Sequence, residues 1–114
     1  MKKVFLTKLI LNAAAIYLTA SFVKGVEIRD FITALVAALI LGIVNALIRP
    51  IFLIFSLPIN LMTLGLFTFV INGLMLLIVA SITKGFFIAG LGSAIIASII
   101  ISVVSAILSF LFLE

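Results

Sequence analysis

Four side chains carry most of the chemistry available to this apolar chain: Asn12, Asn45, Arg49 and Asn72. A carboxamide offers donors and an acceptor without charge. A guanidinium is a permanent cation whose fork of N–H groups matches carboxylate or phosphate. Asn45 and Arg49 are four residues apart, which puts them one turn apart on one helix face. A lone amide in lipid is costly, so the asparagines are expected to point inward and bond across helices, each bond worth about 0.6 kcal/mol. The other reading makes them the walls of a polar substrate or ion path. Arg49 either snorkels to lipid phosphates or turns inward, where it would bind an anionic head group or hold a gate shut.

The remaining composition excludes whole classes of function. The chain has no Cys and no His, which removes disulfide, thiolate, haem, zinc and imidazole chemistry. Its only acidic residues are Glu27, Asp30 and Glu114, none inside an apolar stretch. Glu27 and Asp30 read as a solvated loop pair beside Arg29. Catalysis, a cofactor and a metal are therefore not expected. Of the 114 residues, 68% are hydrophobic and 9% are charged, and the net charge is +4. No soluble core hides that much apolar surface in so short a chain. The basic residues are the flanking charges of membrane helices, so no nucleic-acid partner is expected.

These side chains must be positioned by membrane-spanning helices. The charge-free stretches are 9–23, 31–48, 50–83 and 85–113. A helix needs roughly 20 apolar residues to cross, and the third stretch is too long for one crossing, so Pro58 divides it. The glycines at 85, 90 and 92 delay the last helix. Four helices are expected, near 5–23, 31–49, 61–82 and 91–112. Met1-Lys2-Lys3 before an apolar run resembles a signal peptide, but Lys8 interrupts the run and no small-residue cleavage pattern follows. An uncleaved first helix is the expectation.

Residues 50–60 form the expected hinge. Arg49-Pro50 closes the second helix, because a residue before proline avoids helical geometry. Residues 51–57 are too apolar for an ordinary loop, yet Pro50 to Pro58 would rise only about 13 Å as a helix. An interfacial or shallow re-entrant segment follows. Pro58 then introduces the third helix, with Asn60 and Thr63 near its start to satisfy free amides.

Sliding the sequence against itself by 60 positions aligns Asn12 with Asn72, Ala20-Ser21 with Ala80-Ser81, and Lys24-Gly25 with Lys84-Gly85 without a gap. Ala34, Ala37, Val44 and Ala46 likewise meet Ala94, Ala97, Val104 and Ala106. Each unit is a helix, a Lys-Gly loop and a second helix. An even number of crossings leaves both units in one orientation, related by a pseudo-two-fold axis along the membrane normal. The expected chain is a single membrane domain over 1–114, with repeat 1 at about 5–49, a hinge at 50–60 and repeat 2 at about 61–112. The loops KGVEIRDF and KGFFIAGL are expected to pair as short extended segments. Lys2, Lys3, Lys8 and Arg49 lie at one end and Lys24, Arg29 and Lys84 at the other, which favours cytoplasmic N- and C-termini. Arg49 is about 27 Å along its helix from Phe31, beyond the reach of Glu27 and Asp30 but on the side where Glu114 ends.

Two helices carry stripes of small residues. Ala34, Ala38, Gly42 and Ala46 recur every four residues in the second helix. Gly90, Ala94, Ser98, Ser102, Ser105 and Ser109 do so in the fourth, at spacings of four and three. Such stripes let backbones approach where no hydrophobic effect acts between spans, as helix packing, as a subunit interface or as a pore wall.

NALIRPI at 45–51, SLPIN at 56–60 and TLGLFTFVINGLML at 63–76 together resemble the small four-span bacterial membrane family labelled phage holin superfamily IV. The resemblance implies a four-helix protein of the bacterial inner membrane. It points to a holin-like protein that self-associates to permeabilise that membrane, its partners being the lipid bilayer, further copies of itself and anionic lipid head groups. Two alternatives stay open. One is a small transporter or lipid-handling protein with a polar site between the repeats, and the other is an accessory or envelope-stress subunit without transport.

Overall fold

The computed structural model of the chain describes residues 2–63 and 65–112, and these are helical apart from one short ribbon. Helix α1 (Lys2–Phe22) leads through β1 (Val26–Ile28) into α2 (Phe31–Leu47). Two short helices follow, α3 (Arg49–Phe55) and α4 (Leu57–Met62), then α5 (Phe67–Ile82), β2 (Phe86–Ile88) and α6 (Leu91–Phe112). Both α1 and α5 pack on α2 and on α6, so the four long helices form a ring. Across the ring no Cα of α1 comes within 8 Å of α5, nor any of α2 within 8 Å of α6. Apolar side chains, many of them small or branched, fill the interior, among them Ala13, Ile16, Ala34, Ala37, Ile71, Met75 and Ala97, while Phe5, Leu47, Phe55 and Phe110 face outward. That outer apolar surface suits a lipid solvent, and the backbone groups in the middle of each span are satisfied within its own helix.

The two Lys-Gly loops pair as expected. Val26, Glu27 and Ile28 lie opposite Ile88, Phe87 and Phe86 in an antiparallel register. Beyond the ribbon, Arg29 N–H donates to the Gly85 carbonyl at 2.8 Å and Ala89 N–H to the Gly25 carbonyl at 2.7 Å. The loops thereby satisfy each other's backbone. Gly25 and Gly85 both turn the chain at φ +87°, a left-handed geometry that strains any side chain. A Cβ on Gly25 would also press on Ser93 and one on Gly85 on Arg29, so the two loops fit in matching ways.

Asp30 starts α2. Its carboxylate accepts from the Thr33 hydroxyl at 2.7 Å and from Thr33 N–H at 2.8 Å, which satisfies a free donor of the first turn. The hydroxyl bond, then the backbone bond, hold the Asp30 carboxyl below its ordinary value, and the exposed Arg29 guanidinium at 3.5 Å adds to this. Gly90 precedes α6 at the matching place and has no side chain to cap with.

The middle of the chain departs from the sequence expectation. The second helix ends at Leu47 rather than 49, and α3 continues from Arg49 after a bend of 42°. Pro50 and Pro58 each sit in the first turn of a short helix, where a missing N–H breaks no bond. The hinge at 50–60 is thus mostly helical. The third helix, expected over 61–82, begins only at Phe67. Gly65 at φ +89° donates its N–H to the Asn60 carbonyl at 2.7 Å and stops α4 there. Thr63 Oγ1 accepts from Phe67 N–H at 3.3 Å at the new start, and Thr68 Oγ1 donates to Asn60 Oδ1 at 3.3 Å.

By length and composition α1 and α6 can each cross a bilayer, and α2 with α3 makes a third candidate if the bent pair is one span. The 16 residues of α5 rise about 24 Å, short of a hydrocarbon core about 30 Å thick. The approach of Glu114 to Arg49 lies outside the described residues.

Candidate polar site

Three of the four polar residues meet. Asn45 from α2, Arg49 from the start of α3 and Asn72 from α5 line one cavity of about 200 Å³ with Leu41, Leu76, Ser98, Ile101 and Ser102. It follows the bent second helix over about 12 Å of rise, from mid-bundle to the end where α3 begins. Among the described residues its walls carry one cation and no carboxylate. Arg49 Nε is buried and has no hydrogen-bond partner among the described residues. Ser98 donates its hydroxyl to the Ile95 carbonyl and Ser102 to the Ser98 carbonyl, both at 2.8 Å. The donors left for a bound molecule are therefore the guanidinium and the two carboxamides. Such a set, in low dielectric, favours an anion.

Asn12 is elsewhere. It sits on α1 and accepts a hydrogen bond from the Ser105 hydroxyl of α6. Its other surroundings form an outer groove of about 440 Å³ between α1 and α2 with Phe5, Lys8, Leu9 and Gly42. Positions 12 and 105 lie 60 residues from 72 and 45. The same pair of positions is bonded across the α1/α6 contact and borders the cavity across the α2/α5 contact, with no bond between Asn72 and Asn45 among the described residues.

The small-residue stripes run from the interior to the surface. Ala34, Ala38 and Ala94 are buried, whereas Gly42, Ala46 and Ser102 are exposed. Gly90, Ser98, Ser105 and Ser109 are half-buried. A Cβ on Gly42 or Gly90 would meet nothing within 4 Å. The close approach of helices falls at Gly73, which the sequence reading passed over. A Cβ there would lie 2.7 Å from Ile95 Cγ1 and 3.0 Å from Ile95 N, so α5 meets the backbone of α6 beside Asn72. The available signal was a glycine inside an apolar helix, where it costs about 1 kcal/mol against Ala unless packing requires it.

With this geometry in place, the family described as "Mycobacterial 4 TMS phage holin, superfamily IV" matches residues 3–107. A Bacillus subtilis protein named "Uncharacterized membrane protein YvlD" is 43% identical over 96 residues, covering 83% of this chain and 81% of that one. A Streptomyces coelicolor protein named "Uncharacterized protein SCO3922" is 33% identical over 113 residues, covering 90% of each. No solved structure matches the chain.

Proposed function

The chain belongs to the phage holin superfamily IV family of four-span membrane proteins, and from that premise we propose that it works through the polar cavity between two tandem helical hairpins, as a small transporter or lipid-handling protein. The observation that carries this reading is the cavity itself. Asn45, Arg49 and Asn72 converge on it, and the Arg49 Nε is buried without a partner among the described residues. Polar and charged groups inside a membrane bundle are costly and mark ligand paths.

The matching turns at Gly25 and Gly85 and the antiparallel ribbon support a pseudo-two-fold axis through the hairpins. The segment α3–α4 then joins the two repeats as an interfacial or re-entrant hinge. The bacterial relatives support an inner-membrane location, and the charge distribution favours termini in the cytoplasm. Water access is the decisive property of such a cavity. The chain has no native cysteine, so Ser98→Cys gives a single thiol on the cavity wall. Modification by a water-soluble thiol reagent in native membranes is the expected result, and an inert thiol would remove the reading.

Gly42 and Ala46 favour a second reading, self-association that permeabilises the membrane. They are small and exposed, and a Cβ on Gly42 would meet nothing within 4 Å, which suits a contact between copies. Graded induction in a bacterium should then collapse the membrane potential with the unaltered chain and not with Gly42→Leu at equal membrane levels. An intact potential at high expression would discard this mechanism.

A further inference from the structure

Native proteins leave few buried polar groups unpaired, and a buried guanidinium nitrogen is among the costlier ones to leave so. Arg49 Nε is in that position among the described residues, and its side chain borders a cavity with room for a small polar group. The two carboxamides that share the cavity, Asn45 and Asn72, are each half-buried. Among the described residues no acidic side chain lines the walls, and the serine hydroxyls are committed to their own helix. A cation would meet Arg49 with nothing to offset the repulsion. A neutral solute would leave the guanidinium without a counter-charge. An anion with several acceptor oxygens satisfies the guanidinium fork and both amides together.

We infer that the cavity between α2, α5 and α6 binds a phosphate-bearing anion, with Arg49 as its counter-charge and Asn45 and Asn72 as neutral donors. This rests on the polar-cavity reading and names its ligand class. The cavity reaches the end of the bundle where α3 begins, so the phosphate has two sources, a phospholipid head group in the bilayer or a free ion in solution. Ser109 stands 60 residues from Arg49 and Ser105 from Asn45, so the α1/α6 side carries no such cation.

The test uses the full chain bearing Ser98→Cys in alkyl maltoside micelles, which contain no phosphate. The rate of modification by a water-soluble thiol reagent is measured alone, with phosphatidylglycerol added, with diacylglycerol added as a phosphate-free lipid, and with inorganic phosphate in the buffer. Phosphatidylglycerol should slow the reaction about tenfold at about ten times its half-protecting concentration. Slowing by phosphatidylglycerol alone assigns a head group, slowing by inorganic phosphate alone assigns a free ion, and slowing by both assigns the phosphate whatever carries it. Equal slowing by diacylglycerol, or none by either phosphate source, overturns the inference while leaving the accessible cavity standing. A thiol that is inert in every arm removes the cavity reading as well.

Arg49→Gln should raise the half-protecting concentration about tenfold or more, the usual scale for a lost charge-assisted bond. Arg49→Lys keeps the charge without the fork and should weaken protection less. If Arg49→Gln does not fold, Arg49→Lys still decides, because unchanged protection in it would contradict fork recognition.

Discussion

Two contacts join the α1–α2 hairpin to the α5–α6 hairpin, and they differ. Where α1 meets α6, Asn12 and Ser105 close on each other through a hydrogen bond, and the helices pack more extensively than at the other contact. Where α2 meets α5, the corresponding positions hold Asn72 and Asn45, packing is sparser, and a cavity opens with Arg49 at its end. The turns of the two hairpins match, with Gly25 and Gly85 each at φ +87°. Two exchanges, Asn45 in place of Ser105 and Arg49 in place of Ser109, accompany the change from a bonded contact to one with a cavity. Matched positions thus carry a hydrogen bond on one side of the bundle and line a cavity on the other.

Breaking the frame under the open side should produce the largest effect. Gly73→Ala drives a methyl group against Ile95 and should destabilise the bundle by about 1–3 kcal/mol, the range for overpacking. Gly42→Ala, which meets nothing within 4 Å, should stay within about 0.5 kcal/mol of the unaltered chain. Reversible unfolding in mixed detergent measures both, and equal losses would deny that the helices meet closely at Gly73.

A double-mutant cycle sharpens the comparison. Asn12→Ala with Ser105→Ala should show a coupling of about 0.6 kcal/mol, and Asn72→Ala with Asn45→Ala a coupling near zero. Asn45→Ser gives the open contact the residue pair of the closed one, and should stabilise the bundle by up to about 0.6 kcal/mol. A loss of stability instead would mean that Asn45 already holds a partner.

The smallest effect concerns the helix starts. The Asp30 carboxyl is held below its ordinary value by Thr33, so the stability it contributes is present above the unfolded value of 3.8 and fades as pH falls through the folded one. Asp30→Asn should flatten stability against pH in the acid range. Gly90→Asp, which has open space around it, should give α6 a cap and introduce a comparable acid dependence. An unchanged acid profile in Asp30→Asn would deny that the cap is formed.

Much of this comparison was legible in the sequence, for identifiable reasons. A left-handed turn strains any residue but glycine, so the matched Lys-Gly pairs mark the turns directly. The cost of an amide in lipid made Asn12, Asn45 and Asn72 conspicuous. Their division into a bonded pair and a cavity was not legible, because it depends on how closely helices approach across the bundle. Gly73 and Ala13 are both merely small in a linear reading, and only the Ile95 backbone distinguishes them. The break before Phe67 had a local signal in Thr63 and Gly65. Hydropathy concealed it, since the stretch is apolar on both sides of the turn.

The most direct measurement compares the two asparagines themselves. Asn12→Cys and Asn72→Cys each place a single thiol at matched positions in a chain without cysteine, and a water-soluble thiol reagent reads their access in native membranes. If the α2/α5 contact is the open one, Asn72→Cys reacts and Asn12→Cys is much slower. Equal rates, or faster reaction at Asn12→Cys, would contradict the division of the bundle into a bonded contact and an open polar one.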